Sequence, residues 1–266
     1  MLALQGVREM LDRLYQSDLL VLYPLTFVLI AGAAEVGAWI GQRSRGGATS
    51  GSDIGTLTSA ALGLVALLLA FSFSLSLSRY DARRSQVLEE ANAIGSTANF
   101  ALMLPEPARE PILGLLRDYT AVRIGLGIPF DPAKFQRDVA RSLELQTRLW
   151  QQAVAVTAQA PQSLAVYRFV GSLNEMNNIH ERRLTSLRYH VPSAVMCMLI
   201  GVSMVAMGFT GYNAGVTASR RRTAMLIMSL TVAGVIMLVV DLDQPARGLI
   251  QVPVDPLVEA AQGIPP

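Results

Sequence analysis

An all-α membrane protein is the fold class this sequence predicts: four transmembrane helices and a helical extramembrane domain inserted between the second and third. Three observations carry that reading. Four stretches are apolar and free of charge: Leu19–Ala34, Ile54–Ser78, Val191–Ser219 and Thr223–Val240. Hydrophobic residues make up 52% of the chain and charged residues 16%, with a mean hydropathy of +0.39, which fits a membrane class. Most of the charge falls in one block, Arg79–His190, between the second and third stretches.

A bilayer core about 30 Å thick needs about 20 apolar residues in helix. The first stretch reaches that length by running past Glu35 to Ile40. The N-terminal residues 1–18 carry Arg8 and Arg13 but also Glu9, Asp12 and Asp18. They read as an interfacial amphipathic helix with Leu4, Val7, Leu11 and Leu14 on one face. The apolar run after them is longer than the 7–15 residues of a signal-peptide core, so the first helix is expected to stay in the mature chain. Residues 19–78 then hold transmembrane helices 1 and 2, residues 79–190 the helical domain, residues 191–242 helices 3 and 4, and residues 243–266 a C-terminal tail.

The middle block reads as helix throughout. From Ile54 no proline intervenes until Pro105, so the second span is expected to continue as one long helix into Arg79–Phe100. Pro105, Pro107 and Pro111 interrupt it. Further helices are expected over Glu110–Leu126, Ala133–Ala158 and Gln162–Tyr189, with Asp131 and Pro132 as N-cap and first-turn residue of the second of these.

Orientation stays open. The two short links hold five basic residues, Arg43, Arg45 and Arg220 to Arg222, against three near the termini, which places the links in the cytoplasm. Counting Arg79, Arg83, Arg84, Arg182, Arg183 and Arg188 at the ends of the helical domain reverses the answer.

The second span carries the densest set of functional candidates. Gly55, Ser59 and Gly63 recur every four residues, and Ala66, Ala70, Ser74 and Ser78 extend a small-residue stripe. Such a stripe suits close helix packing within or between subunits, or the wall of a polar pore. Phe71 and Phe73 would form an apolar constriction of the kind that gates by dewetting, with Ser74 and Ser78 beside them. Glu35, the one acid within a span, is a functional candidate because ionisable groups are costly in a bilayer. It lies about 7 Å from Ile40 by helical rise, near enough to the interface to be a structural partner of an arginine of the helical domain instead.

Arg79, Asp81, Arg83, Arg84 and Glu90 form a dense polar patch after the second span, and Arg79, Arg83, Gln86 and Glu90 share a helix face. The patch reads as a salt-bridged helix or as a vestibule that concentrates ions at a pore mouth. Asp241 and Asp243 close the fourth span. Carboxylates there oppose the helix macrodipole and call for cationic partners, for which Arg79, Arg83 and Arg247 are candidates.

Several classes are excluded. A net charge of +2 leaves no nucleic-acid footprint. The single Cys197 supports neither a disulfide framework nor a zinc site. His180 and His190 match no metal or catalytic spacing, and no nucleophile–base signature is present. The chain is therefore expected to be no enzyme and to need no metal or cofactor.

Three segments together resemble a known group: Gly63 to Arg84 (GLVALLLAFSFSLSLSRYDARR), Glu89 to Gly95 (EEANAIG) and Asp241 to Val252 (DLDQPARGLIQV). They are similar to the bestrophin-like family of bacterial and plant membrane proteins. The matching positions are Arg79, Asp81, Arg83, Arg84, Glu89, Glu90, Ala91, Asn92, Asp241, Asp243, Pro245 and Gly248. The resemblance implies a distant likeness to bestrophins, pentameric chloride-conducting channels whose long second helix lines the pore. It would put Ile54–Ser78 around the pore and the helical domain in the cytoplasm. The expected function is a homo-oligomeric anion channel in a bacterial inner membrane, with the lipid bilayer, further copies of the chain and a permeant anion as partners. The alternative is a non-conducting scaffold or sensor whose helical domain binds a partner protein.

Overall fold

The structure, a computed structural model, describes residues 19–44, 51–126, 131–188, 191–217, 222–244 and 248–265. The interfacial helix expected over residues 1–18 lies outside the described residues, as do His190, Arg220, Arg221, Pro245 and Arg247. The described residues form eight helices and no strand: α1 Leu19–Arg43, α2 Gly51–Ala101, α3 Arg109–Gly125, α4 Pro132–Gln159, α5 Leu164–Arg188, α6 Ser193–Val216, α7 Arg222–Asp243 and α8 Asp255–Gln262. Four of them, α1, α2, α6 and α7, are long and apolar enough to cross a membrane.

The chain divides into two compact units, Met1–Arg79 with His190–Gln244, and Tyr80–Tyr189 with Pro245–Pro266. In the first, α1 packs on α6 and α7, and α6 packs on α7. Its core gathers Ile30, Ala34 and Ala38 from α1, Leu199, Ala206 and Met207 from α6, and Ala233, Ile236 and Val239 from α7. Glycine sets the approach of α1 to α6. A Cβ on Gly37 would land on the Gly208 carbonyl, and one on Gly211 on the Ala34 carbonyl. Gly41 and Gly215, four residues further along each helix, make the same kind of approach to Tyr212 and Ala38. Two small-x-x-x-small faces thus meet backbone to backbone, the contact that replaces the hydrophobic effect between helices in lipid.

The second unit is a helical bundle with an ordinary aqueous-type core. Ile94, Leu116, Tyr119, Leu145, Leu149, Phe169 and Met176 are fully buried together. Asp131 caps α4, its carboxylate accepting the Ala133 N–H at 2.9 Å, with Pro132 in the first turn. The Arg109 guanidinium donates to the Leu104 carbonyl at 3.1 and 3.2 Å, closing the proline-rich turn before α3. From the tail, α8 packs on α3 and buries Leu257 in the same core.

The long helix α2 runs through both units. Its 51 residues extend about 76 Å at 1.5 Å per residue, more than twice the hydrocarbon thickness. Ile54–Ser78 is its one charge-free stretch long enough to cross a bilayer.

Candidate pore face and charge networks

Helix α2 is the least covered of the four apolar helices. Of its most apolar window 11% is buried, against 28%, 33% and 39% for α1, α6 and α7. Ile54, Thr58, Val65 and Ser76 form its buried face. The Thr58 hydroxyl donates to the Ile54 carbonyl at 2.8 Å and lies 3.4 Å from the Phe209 carbonyl of α6. The small-residue stripe points the other way: Ser59, Gly63, Ala66, Ala70, Ser74 and Ser78 are exposed. A Cβ on Gly55 or Gly63 would meet nothing within 4 Å. Within the protomer, close packing through glycine therefore belongs to α1 and α6, while the stripe on α2 has no neighbour of its own.

Phe71 stands on the open side, 66% exposed. Phe73, two residues on and so about 200° round the helix, packs against the bundle core. The two rings face different surroundings.

At the end of the apolar part of α2, Arg79 Nη1 lies 3.6 Å from Asp243 Oδ1. The other oxygen of Asp243 accepts the Val191 N–H at 2.8 Å. Asp243 is fully buried, and Asp241 and Gln244 are buried beside it in sequence. One carboxylate thus joins α2, the start of α6 and the end of α7. Of the other charges expected at a pore mouth, Asp81 and Arg84 are exposed and Arg83 is buried. Glu35, about half exposed, lies 3.9 Å from the Arg222 Nε at the start of α7. Its partner is thus an arginine of the bundle itself. One turn further along α1, the Arg43 guanidinium stacks on the Trp39 ring at 3.4 Å.

Glu90 belongs to a separate network inside the helical unit. Its Oε1 accepts from Arg123 Nε at 2.5 Å and lies 3.4 Å from the Tyr119 hydroxyl. Its Oε2 accepts from Arg183 Nη1. Tyr119 Oη is 3.1 Å from His180 Nδ1 and accepts from Gln146 Nε2 at 3.4 Å. Glu90, Tyr119, Arg123 and His180 are fully buried, and Arg183 and Gln146 nearly so. Four helices, α2, α3, α4 and α5, contribute to it.

Burial alone would raise the pKa of Glu90, but Arg123 and then Arg183 outweigh it and leave it lowered. Burial raises the Tyr119 pKa, so the phenol keeps its proton. Burial, and then the Arg123 charge, push His180 down to about 4, so the imidazole is neutral. If the Tyr119 O–H turns to Glu90, His180 Nδ1 carries the proton and donates to Tyr119; if it turns to His180, the proton sits on Nε2. Either tautomer leaves Nε2 without a partner among the described residues.

Glu90 stands out in the sequence as part of a polar patch, whereas Tyr119 and Arg123 do not. Ile112, Leu116, Tyr119 and Arg123 fall on one buried stripe of α3, and an arginine on a core stripe was the available signal.

A groove of about 430 Å³ on the helical unit is lined by Phe100, Trp150, Tyr167, Arg168 and Asn174 among others.

The family profile of the bestrophin-like domain matches residues 28–257. The chain belongs to the bestrophin-like family. A bacterial bestrophin homologue from Klebsiella pneumoniae, solved as a single-site variant, is similar in fold, with a TM-score of 0.69 at 14% identity over 90% of this chain and 96% of that one. A second variant of a homologue from that organism gives 0.69 at 15% identity over 93% and 97%. A further solved membrane protein gives 0.66 at 14% identity over 92% and 97%. No curated protein sequence matches the chain. At such identities the shared property is the fold, and in this bestrophin-like chain it sets the long helix α2 among the four apolar helices.

Proposed function

We propose that this bestrophin-like protein is a homo-oligomeric anion channel whose pore is lined by the apolar part of α2, with chloride as the permeant ion. One observation carries the reading: α2 is the least buried apolar helix, and its small-residue stripe has nothing packed on it within the protomer. In an oligomer that stripe faces neighbouring copies or a lumen. Small and hydroxylated side chains suit both, since they admit close backbones and offer hydrogen bonds. Phe71 projects from the open side and is the constriction. A ring of such side chains narrows a pore and gates it by dewetting. Arg79, Arg83 and Arg84 follow the apolar segment and favour anions near its end. The helical unit, which carries most of the chain's charge, lies outside the bilayer in this reading.

Chloride efflux from liposomes carrying the purified protein tests it. Arg83 is 4% exposed, so Arg84, which is exposed, is the better charge to reverse. Flux that rises with Phe71→Ala and falls with Arg84→Glu supports the anion pore, and folded oligomers without flux in any of these forms overturn it.

The second reading is a non-conducting scaffold or sensor. The groove with Trp150 and Tyr167 on the helical unit favours it, because exposed aromatic side chains anchor protein partners.

A further inference from the structure

The network around Glu90 does not balance its charge. Among the described residues Glu90 is the one carboxylate within ion-pair distance of Arg123 and Arg183. Arg123 and Arg183 each bring a guanidinium, which stays charged in proteins. Tyr119 cannot supply the missing negative charge, since burial raises its pKa. His180 adds none either way, being neutral. One negative charge therefore faces two positive ones inside the helical unit. A buried ion without compensation is strongly unfavourable, and buried charges are ordinarily paired.

The hydrogen-bond donors do not balance either, and the shortfall falls on the same residue. Arg123 spends its Nε on Glu90. Its Nη1 and Nη2 are both buried and have no acceptor among the described residues. Those two nitrogens carry four N–H bonds. Orphaned donors on a buried charge are the costliest kind to leave unmade.

We propose that the helical unit binds a small monovalent anion of chloride size at Nη1 and Nη2 of Arg123, inside the junction of α2, α3, α4 and α5. The excess of one positive charge sets the valence, and full burial of Arg123 sets the size. A water molecule accepts hydrogen bonds but brings no charge, so it would satisfy the donors and leave the electrostatic deficit. Arg183 reaches the surface, at 5% exposure, and marks the side from which an ion gains access. The site is separate from the proposed pore and does not rest on the channel reading.

Thermal unfolding of the full-length protein in detergent tests this. The probes are sodium chloride, bromide and gluconate at one ionic strength. Chloride and bromide should raise Tm saturably, by roughly 5 °C where the ion is far above its Kd, and gluconate should not. Arg123→Gln removes the excess charge and three of the five N–H donors, so the halide shift should vanish. Glu90→Gln leaves two positive charges unopposed, so the shift should saturate at lower chloride. Arg137→Gln, at an exposed arginine of α4 outside both proposed sites, should keep the wild-type response. Equal Tm in chloride and gluconate overturns the proposal, as does an undiminished halide shift in Arg123→Gln. Bromide anomalous scattering from crystals of the unsubstituted protein decides the matter where those variants fail to fold. A peak beside Arg123 supports the site, and peaks elsewhere only overturn it. Chloride efflux reads the pore independently, so each idea can fail alone.

Discussion

Arg79 Nη1 and Asp243 Oδ1 lie 3.6 Å apart, and through that pair the end of the apolar part of α2 is tied to the end of α7. Asp243 also accepts the Val191 N–H, so the carboxylate offsets an otherwise orphaned donor at the start of α6 as well. Asp243→Ala should lower stability by about 3 kcal/mol, the scale for removing one partner of a buried, hydrogen-bonded ion pair. The urea midpoint of the detergent-solubilised protein checks this. An unchanged midpoint would show that the contact holds nothing.

The glycines of α1 and α6 should tolerate nothing larger. Gly211→Leu places a side chain on the Ala34 carbonyl, where backbone rather than a flexible side chain must move. A loss of about 3 kcal/mol, the upper end of the usual range for overpacking, is expected, seen as reduced yield of monodisperse protein. Gly63→Ala meets no neighbour within the protomer. It should leave thermal stability of the protomer unchanged and show its effect in oligomer stability or ion flux.

Acid should weaken the helical unit through His180. Its pKa is 6.5 in the unfolded chain and about 4 in the folded one. Between those values the unfolded chain takes up a proton that the folded one refuses, so stability falls as pH drops through the window. Above pH 6.5 the group contributes no slope. The Glu90 pKa is lowered on folding, so its contribution is lost only below the ordinary carboxylate range. His180→Gln should flatten the profile of Tm against pH between about 4 and 6.5 and leave the steeper loss at lower pH. A slope unchanged by that substitution would assign the window to other groups.

The four apolar helices were legible because a helix in lipid needs no polar face, and the charge-free stretches record that directly. So was the cap at Asp131, a local matter of two adjacent residues. The tight contact between α1 and α6 was present as glycines four apart at Gly37 and Gly41 and at Gly211 and Gly215. The longer stripe on α2 outshone it, because spacing shows that a helix can be approached closely and not which partner does so. The Glu90 network was the least legible part. Its ion pairs span 33 and 93 residues of sequence, and a buried arginine in sequence looks like a surface one. The place of α8, whose Leu257 enters the core of the helical unit, depends likewise on a contact far from local pattern.

Phe71 is the most direct handle on the proposed pore. It is 66% exposed on the open side of α2, so truncating it opens no cavity in the bundle and, in the pore reading, removes bulk from the lumen. Phe73→Ala removes a ring that packs on the bundle core. It should lower stability by about 3 kcal/mol or less, partial burial reducing the usual cost, with a smaller change in flux.

The decisive measurement is chloride efflux from liposomes reconstituted with the unsubstituted protein and with Phe71→Ala. The pore reading predicts measurable efflux that rises roughly tenfold in Phe71→Ala, equivalent to taking about 1.4 kcal/mol off the barrier to permeation. Folded oligomers of both proteins that pass no chloride would contradict it and favour a scaffold built around the helical unit.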